Sequence, residues 1–333
     1  MEVLAQIVDK ALDEVLQRLH NEVTKRAYLY QLRLYLAWTG KESYDELIKW
    51  TNEDVQQNLE DYCRYLQQEK HSKSYYNIVF SALTFFYQIN FKLINRTRIR
   101  TMVKPNVDPI GGDRYTNEDV IKILQAVKIT KKKNYKIHTK LRTKAIILLL
   151  ASSGIRVGAL AELKVSDLEK IEDCYSLKVY AKTKYEHYTF LTPQATKVLD
   201  LFLEQRKTKW IDREWTWQHS KEIHIMTFND SLVFDLSLGA IELALNRIVR
   251  KANLQESKTG LRYEKPVNHA YRKRFNTIIK QNRDINPQIG EKFLGHQIIN
   301  LDSAYLKISK EDLFFEYKKA IPDLTLNCDV LTL

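Results

Sequence analysis

From the first residue to about 104, apolar positions recur at three- and four-residue spacings, with almost no Gly or Pro to interrupt them. TKRAYLYQLRLYLAWTG (24–40) and SKSYYNIVFSALTFFYQINF (72–91) each gather leucines and aromatics on one helical face, as helices packed in a bundle do. The opening MEVLAQIVDKALDEVLQRLH reads as a further amphipathic helix; its acids come early, and it lacks the basic, apolar, small-residue order of a signal peptide. Most tyrosines of this region are therefore expected in a core. Ser72, Lys73, Ser74 and Tyr75 open a helix. The free N–H groups of such a start suit an anion, so these four are candidate contacts to a phosphate backbone.

The pattern breaks at KPNVDPIGGDRY (104–115), where two of the chain's 6 prolines and two of its 9 glycines fall together. That stretch reads as a linker. Thr116 and Asp119 then make a capping-box start, with Val120, Ile123, Leu124 and Val127 on one face. A second domain follows: the apolar helix AIILLLAS, a turn at Gly154 and a short helix to Leu163. LKVYA and HYTFLT predict the two strands of a hairpin with Lys182 to Glu186 at its tip. Further helices are expected at about 192–206, 237–253 and 269–281, and one capped by Ser309 and Asp312 carries Tyr317 as a packing residue. No internal repeat is visible.

With 333 residues, 28% charged and 44% hydrophobic, the chain fits two domains of ordinary size. No run approaches the roughly 20 apolar residues that span a bilayer, so no membrane partner is expected. Three distant cysteines, Cys63, Cys174 and Cys328, form neither a zinc cluster nor an even disulfide framework, which points to a reducing cytoplasm. The glycosylation-like triplets at Asn95 and Asn229 carry no meaning there. The net charge of +12 points to a polyanion, most often nucleic acid. It is uneven: residues 1–104 hold 15 Lys and Arg against 13 Asp and Glu, which leaves most of the excess to the second part. KITKKKNYKIHTKLRTK (128–144) has eight Lys or Arg and no acid. Its Lys131, Lys132 and Lys133 read equally as a solvated loop or as a DNA-facing one.

Four stretches of the second part stand in a telling order: SSGIRVGALAELKVSDL around Arg156, VYAKTK around Lys182, NHAYRKRF with His269 and Arg272, and LGH with His296, nine residues before Tyr305. In this order they resemble the tyrosine recombinases, the integrase and phage-type site-specific DNA recombinases. The resemblance is weak over 20–104 and good over 114–321. It implies a mostly α fold with a small β-sheet: a helical, SAM-like core-binding domain over 1–104, a linker over 105–115, and an α+β catalytic domain over 116–333 that ends in a C-terminal helix. It also implies a tetramer on two duplexes at double-stranded attachment sites, accessory DNA-bending or excision factors, and no cofactor.

The chemistry explains the residue types. Breaking a DNA strand without a metal needs a nucleophile, cations for the charge gathering on phosphorus, and an acid for the departing 5′ oxygen. Arg156 and Arg272 suit the second task, because a guanidinium stays protonated and grips phosphate through paired donors. Tyr305 is the expected nucleophile, forming a 3′-phosphotyrosyl link. His269, three residues before Arg272 and so on the same helical side, would donate to a phosphate oxygen or take the tyrosine proton. His296 would donate to the phosphate. Lys182 is the expected acid, with Lys184 its rival. One departure concerns Ala159, where the family commonly has an acid; Glu162 lies one turn on. R-V-G-A-L (156–160) paired with the later E-Y-x-K-A-x-x-x-L-T-L looks like the archaeal branch carried by viruses and integrated elements. Two other readings share the scaffold: a type IB topoisomerase, and a catalytically inactive DNA-binding regulator.

Overall fold

The computed structural model describes residues 9–69, 71–102, 112–128, 135–207, 210–212, 224–226, 231–255, 258–259, 262–296 and 308–331. They fall into two compact units, Met1–Ile110 and Gly111–Leu333. The first is helical: α1 (Lys10–Arg18), α2 (Glu22–Thr39), α3 (Tyr44–Leu47), α4 (Asn52–Gln67), α5 (Lys73–Ile89) and α6 (Arg96–Met102). Leu32, Tyr35, Leu59, Tyr62, Val79, Leu83, Phe86 and Tyr87 form its core. Tyr35, Tyr44, Tyr62, Tyr76 and Tyr87 are buried as the spacing predicts, while Tyr30 and Tyr65 are exposed, and a buried hydroxyl favours a partner. Tyr35 and Tyr87 bond each other at 2.9 Å, and Tyr35 donates to Asn58 at 2.6 Å. Asp9 and Asp45 exchange caps, Asp9 accepting from the Tyr44 N–H at 2.7 Å and Asp45 from that of Ala11 at 2.8 Å. Each carboxylate thereby meets free donors at a helix start.

The second unit runs α7 (Asn117–Lys128), α8 (Tyr135–Ser153), α9 (Val157–Glu162), β1 (Leu168–Ile171), β2 (Cys174–Val179), β3 (His187–Phe190), α10 (Pro193–Arg206), β4 (Trp210–Asp212), β5 (His224–Met226) and α11 (Leu238–Lys251). It continues through β6 (Lys258–Thr259), β7 (Arg262–Tyr263), α12 (His269–Gln281), α13 (Pro287–Phe293), α14 (Lys310–Lys318) and α15 (Ile321–Leu324). Residues 145–152 of α8 are buried all round, because α7, α10 and α12 pack about it. An unbroken apolar run is the mark of such a central helix. A second cluster, Phe190, Phe275, Phe293, Phe314 and Tyr317, joins β3 to α12, α13 and α14. Among the described residues, no helix is long and apolar enough to cross a membrane.

The fold is thus mostly helical with a small sheet, as expected. Three details differ from the sequence reading. The hairpin belongs to a three-stranded antiparallel sheet in the order β1-β2-β3; β1, LEKI, turns two charged side chains to solvent and has no apolar alternation to read. Helix α13 was not foreseen, since seven residues give too few turns for a period. Residues 112–115, expected within the linker, are packed onto the second unit: Tyr115 is fully buried and meets Tyr271 edge-on at 4.7 Å.

Candidate active site

Two tight turns carry the site. At the end of α8 the chain reverses through Gly154, at φ +62°, where a Cβ would stand 2.4 Å from the Phe275 ring; only glycine fits. The turn leaves Ile155 buried and Arg156 exposed at the N-cap of α9. After α13, Gly295 takes φ +64° with its Cα against the His187 ring, where a Cβ would meet Nδ1 at 2.5 Å. That turn presents His296.

Arg272, on the second turn of α12, ties the two turns together. Its guanidinium donates to the Gly154 carbonyl at 2.8 Å, to the Leu294 carbonyl at 2.7 Å, and to His296 Nε2 at 3.0 Å. Burial, reinforced by the like charge of Arg156, brings the Arg272 pKa down from 12.5 to about 10. It stays protonated at neutral pH, so two cations share a pocket that invites an anion. Tyr180 lies in the same field. Burial raises its hydroxyl pKa, and Arg156 and Arg272 oppose the rise while Glu162 adds to it. Ala159 is buried, and the acid of α9 that acts on Tyr180 is Glu162, which is exposed.

Behind the pocket stands His187, the first residue of β3, paired with Val179 at the end of β2. Its Nδ1 meets the Tyr185 carbonyl at 2.9 Å, and a carbonyl only accepts, so Nδ1 carries the proton. Burial lowers its pKa, as do Arg272, Arg156 and His296, against the bond to Tyr185. The ring is therefore neutral, and its buried Nε2 has no partner among the described residues. His296 is held from the other side: its Nδ1 bonds the Glu291 carboxylate, whose second oxygen pairs with Lys280 at 2.8 Å.

Arg156, Arg272 and His296 are thus gathered around one pocket. His269 is the first residue of α12 and is exposed. Lys182 sits at the hairpin tip with φ +65°; its N–H donates to Glu186 at 2.7 Å while its side chain is exposed. Lys184 lies over the Tyr185 ring at 5.1 Å. Neither lysine has a contact to the arginine pair among the described residues. Tyr305, Lys131, Lys132 and Lys133 lie outside the described residues. Tyr317 is fully buried and donates to the Ser152 carbonyl at 2.9 Å.

Of the four residues at the start of α5, Ser72 spends its hydroxyl accepting the Tyr75 N–H at 3.2 Å. The Tyr75 ring stacks on His71 at 4.1 Å, and Ser74 is exposed. Lys73 lines a groove of about 690 Å³ with Arg96 and Arg100 of α6. The sequence reading missed those two arginines, as it missed His187 and Glu291. RTRIR (96–100) held the clue for the arginines, but Glu291 stands five residues before His296, outside the spacing that brings helical neighbours together.

Residues 114–312 match the model of the phage integrase family, more than half of the chain. The chain belongs to the phage integrase family. This integrase-family chain is 27% identical over 186 residues to a tyrosine recombinase XerC of Leptospira interrogans, a match covering 55% of this chain and 52% of that protein. It is 23% identical over 258 residues to a tyrosine recombinase of Agathobacter rectalis, covering 76% and 77%. The chain spans about half the length of the first curated relatives it matches. Among solved structures, the Tn1549 transposon integrase with transposon right-end DNA superposes with a TM-score of 0.58 at 13% identity, covering 93% of this chain and 98% of that one. XerH site-specific recombinase bound to difH superposes at 0.55 and 17%, covering 91% and 82%. These likenesses establish the fold.

Proposed function

We propose that the chain is a tyrosine-type site-specific DNA recombinase that cleaves and rejoins strands through a 3′-phosphotyrosyl intermediate. The observation that carries the reading is the Arg156–Arg272 pocket with His296 on its edge, two cations with no carboxylate bonded to either guanidinium among the described residues. A scissile phosphate there would take paired N–H donors from both arginines and, once its ring is protonated, a further one from His296. Tyr305 attacks phosphorus, its proton passes to His269, and the P–O5′ bond breaks as Lys182 protonates the leaving oxygen. The first unit and residues 131–133 hold the flanking duplex through its phosphates. Several relatives and structural neighbours named above are recombinases, some bound to DNA, which supports double-stranded DNA as the partner; assembly as a tetramer on two duplexes extends the same reading. Integration or excision of a mobile element, in the cytoplasm of its host, extends the same reading. The archaeal placement is supported by the R-V-G-A-L pairing alone, whereas the named relatives are bacterial.

A nicked suicide duplex carrying the attachment site tests the reading. Tyr305→Phe is expected to bind the duplex with unchanged affinity and form no covalent protein–DNA adduct. Tyr317→Phe is expected to form it. An adduct that survives Tyr305→Phe and disappears in Tyr317→Phe would move the nucleophile to α14, and none with the parent chain would leave a DNA-binding regulator.

A further inference from the structure

His296 is gripped at both ring nitrogens by groups that fix where its proton sits. A carboxylate only accepts, so the Nδ1 that faces Glu291 carries the hydrogen; a guanidinium only donates, so the Nε2 that faces Arg272 at 3.0 Å is a lone pair. In this state His296 is a neutral ring that cannot donate from the atom nearest the pocket. A phosphate that takes Arg272 Nη2 for itself would set a lone pair on oxygen against the lone pair on Nε2. Donation therefore demands a second proton, and the imidazolium so formed has Glu291 against its far side.

We propose that Glu291 is the positioning residue for His296, and that the Lys280–Glu291 pair sets the pH below which His296 can donate to the phosphate. The inference rests on the recombinase reading for its phosphate, and on geometry for the rest. Glu291 reaches His296 because α13 ends in the Gly295 turn, which folds the imidazole back over the helix's last turn; the His296 N–H also bonds the Glu291 carbonyl at 3.2 Å. Burial pushes the Glu291 carboxyl up, and Lys280 and His296 more than reverse it, so the group is ionised at neutral pH. The other charges around His296 oppose a second proton: Arg272 on α12 directly, Arg156 at the start of α9 across the pocket, and Lys280 on α12 by drawing on Glu291. His187 on β3 is neutral and presents no acceptor contact to it. Glu291 is thus the one carboxylate bonded to His296 among the described residues.

The full chain tests this in two readouts. Proton–nitrogen NMR of the His296 ring, assigned with His296→Gln, gives its titration midpoint; single-turnover adduct formation from about pH 5 to about pH 8 gives the activity profile. Glu291→Gln keeps an acceptor for Nδ1–H but removes the charge. It is expected to lower the midpoint by about one unit, the bottom of the usual range for a partly exposed pair. The high-pH fall of adduct formation should move down with it. Glu291→Asp should stay near the parent. Lys280→Gln should shift both readouts upward, because it releases Glu291 to His296 alone; a merely structural role would not give opposite signs. An unmoved midpoint in Glu291→Gln, or a shift of the same sign in both variants, overturns the inference. So does a midpoint that moves while the adduct profile does not. A parent chain that forms no adduct defeats the recombinase reading, and the NMR midpoints still judge the dyad.

Discussion

Gly154 is the residue on which the site's geometry turns. Its φ of +62° and the Phe275 ring 2.4 Å from a would-be Cβ leave an alanine both strained and overpacked. Gly154→Ala is expected to cost about 2 to 4 kcal/mol, measured by urea denaturation. It should also misplace Arg156 and shift the residue-154 carbonyl that Arg272 holds. Single residues were legible in the sequence where chemistry or spacing singled them out. Gly154 stood as a turn beside an arginine, and Tyr317 stood on the apolar face of a capped helix and is indeed packed. Glu291 and His187 were not legible, because what makes them matter is a turn that folds one residue onto another. Glu291 meets His296 across the end of α13, and His187 meets Gly295 across more than a hundred residues. Nothing in either local pattern announces such a contact.

Among the elements, α12 shows how one helix divides two arginines between separate tasks. Arg272 faces the pocket, while Arg274, two residues on, points into the core and is 1% exposed. Arg274 donates to the Ala151 carbonyl at 2.9 Å, the Leu324 carbonyl at 3.1 Å and Asn117 at 2.6 Å. Burial brings it down to about 10, so it remains charged and locks α7, α8 and α15 to α12. Arg274→Met keeps the bulk and leaves these acceptors unpaired. It should cost about 3 kcal/mol and speed amide exchange in α15, while Arg272 keeps its own three bonds. From sequence, Arg274 reads as one more surface cation in a basic run. Most helices were legible through a period, a cap or a preceding turn; β1 and α13 were not, being four and seven residues long and dependent on partners distant in the chain.

At the scale of the molecule, the excess charge is the property most exposed to experiment. If the chain holds a duplex as proposed, log affinity should fall linearly with log salt, with a slope of about −0.9 per phosphate neutralised. Lys73→Gln with Arg100→Gln, which thins the groove between α5 and α6, should reduce that slope by about one per lost contact. An unchanged slope would show that duplex DNA does not use this groove. The far end of the second unit is held quite differently. Lys144 donates to the Val330 carbonyl at 3.0 Å, and Gln194 donates to the Leu326 and Cys328 carbonyls at 3.0 Å while accepting the Leu326 N–H at 3.1 Å. Leu326 and Val330 are buried, whereas residues 327 to 329 are at most half-buried. Because the grip falls largely on the main chain, evolution can rewrite the letters at 327 to 329 more readily than it can change their number, although Cys328 packs on the core and Asp329 accepts the Leu331 N–H at 3.1 Å. A single insertion or deletion there would slide every carbonyl past its donor, so drift in this stretch should proceed by substitution at constant length.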